Sequence, residues 1–180
     1  MKARLLILTS VLAAAVFAAS PEKPRVGRAQ IDAMEKNFDQ RLSRLWNEPF
    51  LLLGTTRGFY LDGFGAVFSA EINLVNGPNI TPFQPVISKA QVEQHKKKKL
   101  ERVPALKEAM RQMLTASAAS LDGVPADEQI VVEVTISKYS WEDIAGVPTQ
   151  ILMQAQKKKL LEAQRSGVDA AIREQEFSAP

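Results

Sequence analysis

Residues 58–74 read GFYLDGFGAVFSAEINL, three glycines set among aromatic residues, and the fold turns on the pattern downstream of Gly65. A glycine loop that cradles phosphate leaves a strand and enters a helix, whose first amides then point at the anion. Here the residues after Gly65 alternate instead, with Phe68, Ala70, Ile72 and Leu74 on one side and Ser69, Glu71 and Asn73 on the other. Period two is the spacing of a strand with one dry face. Asp62-Gly63 therefore predicts a type I′ hairpin turn, in which both central residues take positive φ. The anion-loop reading goes, and nucleotide chemistry goes with it.

Upstream of the hairpin, Ile31, Met34, Phe38, Leu42 and Leu45 recur in steps of three and four, which predicts a helix over 29–46 that Pro49 ends. Downstream, Pro78 and Pro82 mark a loop, and a helical region is expected over 88–120, patterned by Val103, Leu106, Met110, Met113 and Leu114. Pro104 is expected to kink or divide it, because proline lacks the amide proton and crowds the preceding turn. Ile130, Val132, Val134 and Ile136 alternate with polar residues as a strand, residues 149–154 return beside it, and the wide loop between them makes a second hairpin. A closing helix is expected over 157–174, using Leu160, Leu161, Val168, Ala171 and Ile172. The expected class is α+β: an antiparallel four-stranded sheet built from two β-hairpins and covered on one face by helices, in the order α-ββ-α-ββ-α.

The first 20 residues read as a secretory signal. Lys2 and Arg4 precede the apolar run Leu5 to Phe17, and small residues come next, giving cleavage near Ala18 or Ser20. That run is shorter than the roughly 20 residues a bilayer requires. The expected organisation is a leader over 1–20, a linker over 21–28 and a single domain over 29–177, with a periplasmic or extracellular location. The chain has no cysteine, so it contains neither a disulfide framework nor a lipid-bearing cysteine.

The full chain carries a net charge of +3, but loss of Lys2 and Arg4 leaves 21 basic against 20 acidic residues. Bulk charge thus offers no argument for a nucleic-acid partner. Its distribution is uneven, with a net +5 over 89–111 and −5 over 121–143. Such a layout could guide self-association.

Catalytic motifs are sparse. His95 is the single histidine, stands beside four lysines and reads as solvent-facing, so neither a metal centre nor a serine-histidine pair is expected, and no cofactor is implied. Three groups of residues remain. Tyr139, Trp141, Glu142 and Asp143 share a loop, where aromatic and acidic residues together suit protein or peptide binding. Glu71 and Glu133 lie on polar strand faces, and with Glu142 or Asp143 they could supply the acid and base of an enzyme acting on envelope glycans. Lys96, Lys97, Lys98 and Lys99 could meet anionic lipid or cell-wall polymer, although four consecutive residues span a full helical turn and cannot share one face. The leading expectation is an exported, non-enzymatic domain that binds a protein or peptide. Glycan catalysis and lysine-mediated surface association stand as alternatives, with membrane contact limited to the leader or a weak surface touch.

Overall fold

The computed structural model describes residues 26–48, 50–78, 86–166 and 172–178. The expected leader, most of the linker, and Val168 and Ala171 of the expected closing helix lie outside these. In chain order the elements are α1 (Arg28–Ser43), β1 (Leu51–Leu52), β2 (Arg57–Leu61), β3 (Gly65–Asn73), α2 (Lys89–Ser120), β4 (Gln129–Ile136), β5 (Pro148–Gln156), α3 (Lys157–Ser166) and β6 (Arg173–Ser178). The class is mixed α+β, but the sheet has six strands rather than four.

Both expected hairpins form. β2 pairs antiparallel with β3 from Arg57↔Ser69 to Leu61↔Gly65, and β4 pairs antiparallel with β5 from Gln129↔Gln156 to Thr135↔Gln150. The first turn is not type I′, because Gly63 has φ +79° whereas Asp62 stays at negative φ. Three residues bridge Leu61 and Gly65, and the Phe64 amide donates to the Leu61 carbonyl at 3.0 Å. A three-residue connection needs one left-handed position, and Gly63 takes it.

The hairpins join through β3 and β4, which run parallel from Gly65↔Gln129 to Ile72↔Ile136. The expectation of a wholly antiparallel sheet fails at this seam. A parallel neighbour requires a crossover, and α2 provides it by carrying the chain back to the start of β3. α2 is one helix through Pro104, so the proline does not divide it. Pro104 is exposed, so the Leu100 carbonyl deprived of its amide faces the watery side of the helix. Its start is well made: Ser88 Oγ accepts the Gln91 amide while Gln91 Oε1 accepts the Ser88 amide, a reciprocal cap.

Two boundaries differ further. α1 ends at Ser43, about a turn early, because Trp46 leaves the helix to pack edge-on against Phe50 at 5.1 Å and beneath the Arg102 guanidinium at 5.3 Å. The closing helix is described over Lys157–Ser166, and Arg173–Ser178, the start of which was expected to be helical, is the edge strand β6 on β5. Lys107 pairs with Glu174 at 2.9 Å and with Glu176, while Arg111 reaches Glu174 at 2.7 Å, fastening β6 to α2.

The helices lie on one side of the sheet. Phe68, Ile72, Ile130, Val132, Val134, Ile151 and Met153 are buried beneath Phe38 and Leu42 of α1 and Leu106, Met110 and Met113 of α2. Phe38 meets Phe68 edge to face at 4.8 Å. The opposite face carries the alternate residues of every strand. No helix among the described residues is long and apolar enough to cross a membrane.

Candidate functional site

The stripe of α2 that faces the core does not end where its aliphatic residues end. Counting toward the N-terminus from Met110 and Leu106 by threes and fours reaches Arg102, Lys99 and His95, and all three are buried. Sequence reasoning expected His95 to face solvent, yet only 8% of it is exposed. Polar residues on the core side of a helix must find partners. The loop between β4 and β5 supplies them.

His95 Nε2 and Glu142 Oε1 lie 2.9 Å apart, Lys99 Nζ reaches Glu142 Oε2 at 2.5 Å, and Lys99 also donates to the Ser137 carbonyl at 3.0 Å. An ionised carboxylate only accepts hydrogen bonds, so this geometry calls for the imidazole proton on Nε2. Above the triad, Tyr139 and Trp141 stack at 5.5 Å with planes 8° apart, and Trp141 meets the His95 ring edge-on at 4.9 Å. The Gly77 amide donates to Tyr139 Oη at 3.3 Å, and a Cβ on Gly77 would sit 3.2 Å from the tyrosine ring. The loop is packed from both sides.

Two candidate groups thus come together, the aromatic loop and the lysine run. Lys96 pairs with Asp143 at 2.7 Å, an exposed bridge that raises the lysine pKa and lowers that of the aspartate. Lys98 pairs with Glu48, whose pKa is lowered by that hydrogen bond. Lys97 is exposed. The opposite charges of 89–111 and 121–143 therefore meet within one molecule, which weakens the case that they guide self-association.

Burial lowers the His95 pKa, against the pull of Glu142 and with help from Lys99 and Lys98, and burial likewise lowers the Lys99 pKa. The imidazole therefore resists protonation in the folded chain but not in the unfolded one, whose histidine titrates near 6.5. Below that pH the unfolded state binds a proton that the folded state refuses, so stability is full above about pH 6.5 and falls as pH drops beneath it. The expected slope is at most about 1.4 kcal/mol per pH unit. Urea midpoints between pH 7.5 and 5.5 should show this decline, and it should flatten in His95→Gln. An unchanged slope in that variant would place the titration elsewhere.

Glu71 and Glu133 sit apart from this cluster, on the open face of the sheet. Glu133 accepts hydrogen bonds from Ser69 Oγ, from Thr135 Oγ1 at 2.7 Å and from Gln150 Nε2 at 2.9 Å, while Glu71 accepts from Ser137 Oγ. The aromatic pair that would form a sugar platform lies against α2, on the helical side. Glu142 is closed inside its triad, with 2% of its side chain exposed. The carboxylates and aromatics do not converge on one cleft. Among the described residues, no group of three or more histidine or acidic side chains is arranged to hold a metal ion.

What sequence reasoning missed is the exposed apolar residues at the two edges of the open face, whose centre carries Ser69, Glu133 and Gln150. Leu51, Phe59 and Leu61 share it with Arg57, Val67 and Ser69, and Phe177 joins them from β6 opposite Gln150. Phe59, Leu61 and Phe177 are 47%, 49% and 48% exposed. The available signal was the odd-numbered alternation of Arg57, Phe59 and Leu61, which puts two large apolar residues on the side away from buried Gly58 and half-buried Tyr60. Compared with protein-family models, with curated proteins and with solved structures, the chain matches none.

Proposed function

We propose that the chain is a non-enzymatic binding domain of the cell envelope and that it captures a protein or peptide on the open face of its sheet. The observation that carries this reading is the exposure of Phe59 and Leu61, two positions apart on β2, on a face that no helix covers among the described residues; Phe177 is exposed on the same face at the far edge of the sheet. Large apolar side chains grouped on a surface favour burial against a partner. The signal-like leader supports the location.

The same geometry argues against the alternatives. Acid–base catalysis needs two carboxylates free to exchange protons across a substrate, whereas Glu142 is enclosed by His95 and Lys99, and Glu133 is engaged by three donors. Contact with anionic polymer needs free ammonium groups, whereas Lys96, Lys98 and Lys99 each face a carboxylate of this chain. The Tyr139 and Trp141 rings serve packing, so the binding surface moves from the loop to the sheet.

A photo-crosslinking amino acid in place of Phe59 or Phe177, in cells producing the full chain, should give discrete protein adducts. The same probe at Glu108, exposed on α2, should not. Adducts absent from both sheet positions, or equally strong from Glu108, would refute the reading.

A further inference from the structure

Between the first turns of α2 and the segment that follows β3 lies a cavity of about 220 Å³, with Val75 and Pro78 on one side and Gln91, Gln94, His95 and Lys98 on the other. Steps of three and four put the α2 residues on one stripe of the helix. The cavity falls short of the roughly 300–1,000 Å³ that drug-sized ligands occupy, so it suits a smaller molecule.

His95 gives the cavity its chemistry. Glu142 holds the ring at 2.9 Å through Nε2, and because the carboxylate only accepts, Nδ1 is left as a bare acceptor. Nδ1 has no hydrogen-bond partner among the described residues, and it is not sealed from solvent. The cavity that His95 lines is where it can be reached. Burial lowers the His95 pKa, so the lone pair stays available at neutral pH.

The remaining lining says what kind of donor fits. Lys98 is already paired with Glu48, and Lys96 and Lys99 beside it with Asp143 and Glu142. An anion would have to displace Glu48 and would face the Nδ1 lone pair, whereas a cation would stand among three lysines. Neither charge is favoured. Gln94 makes no side-chain hydrogen bond among the described residues, and Gln91 spends its Oε1 on Ser88 while its amide protons stay unused. Val75 and Pro78 add an apolar wall.

We propose that this cavity binds a neutral polyhydroxylated ligand of monosaccharide size. One ring hydroxyl donates to His95 Nδ1, its neighbours meet the carboxamides of Gln91 and Gln94, and the C–H face of the ring lies on Val75 and Pro78. The site is on the helical side of the sheet, away from Phe59 and Leu61, so it goes beyond peptide capture on the open face.

The test is to titrate the isotope-labelled full chain with a panel of neutral monosaccharides and their methyl glycosides, following the spectrum of the His95 ring and the backbone amides. At least one sugar should give saturable shifts at Asn76, Gly77 and Gln94, and should move the Nδ1 resonance of His95 upfield, as a lone pair that accepts a hydrogen bond does. Gln94→Ala, an exposed change, should weaken that sugar about threefold to tenfold. A methyl glycoside that binds as well assigns the site to the end of a glycan chain, and loss of binding on methylation assigns it to the free sugar. No saturable shift with any member of the panel, shifts confined to the open face, or a bound sugar that leaves Nδ1 unmoved would overturn the proposal. None of these results bears on crosslinks from Phe59 or Phe177, which judge the open-face reading separately.

Discussion

Gly65→Ala is expected to destabilise the domain by more than about 4 kcal/mol, enough to deplete the soluble protein. Gly65 has φ +136°, and a Cβ built there would fall 1.8 Å from the Gln129 carbonyl oxygen. That oxygen belongs to backbone, so no rotamer change removes the clash. The residues also open the parallel seam, since Gly65 pairs with Gln129, and the Gln129 amide donates to the Phe64 carbonyl at 2.8 Å. Relief would require β3 and β4 to part at the junction that unites the two hairpins. Gly63→Ala is the control, because Gly63 has φ +79° but open space around its Cβ position. It should cost only about 1–2 kcal/mol for the left-handed backbone. Chemical denaturation of the two variants, or soluble yield where Gly65→Ala does not accumulate, gives the comparison. Equal and small losses would mean that the strands do not touch at Gly65.

The contrast between these glycines shows what could be read in advance. Gly63 announces itself through Asp62-Gly63 between alternating segments, because turn chemistry is local. Gly65 looked like one more glycine in a ladder, because its constraint comes from Gln129, 64 positions on in the chain. The same division runs through the fold. Both hairpins and the α2 stripe from Val103 to Leu114 are legible, since period and burial coincide there. The parallel seam is not, because the order of strands is chosen by where α2 returns the chain. β6 was not foreseen, and the expected helix ran over its first two residues: Glu174 and Glu176 are charged, and they hold the strand by pairing with Lys107 and Arg111 rather than by an apolar alternation. Charged edge strands also discourage unwanted pairing.

The candidate site divides in the same way. Tyr139, Trp141, Glu142 and Asp143 stood out, as did Lys96 to Lys99, but as separate surfaces. Extending the apolar stripe of α2 backward would have placed Lys99 and His95 on the core side, where a carboxylate must answer them. Sequence patterning marks apolar positions, and it falls silent where a buried position is filled by a cation and its partner comes from a distant loop.

That pairing supports the second large effect. Glu142→Gln is expected to destabilise the domain by about 3–5 kcal/mol, because it leaves the Lys99 ammonium, 2% exposed, without its counter-charge. Desolvation already lowers the Lys99 pKa, and the hydrogen bond and charge of Glu142 oppose that shift. With the carboxylate gone, the lysine must either lose its proton or draw water into the core. The double variant Lys99→Met with Glu142→Leu removes both charges and should recover much of the loss, since burying a matched pair gains little over apolar packing of similar volume. His95 would still lack its Glu142 partner, so recovery is expected to be incomplete. Urea midpoints of wild type, Lys99→Met, Glu142→Leu and the double variant form a complete cycle. If Glu142→Gln alone costs under about 1 kcal/mol, the bridge behaves as a solvated surface pair, and the loop is held by the stacking of Tyr139 and Trp141 instead.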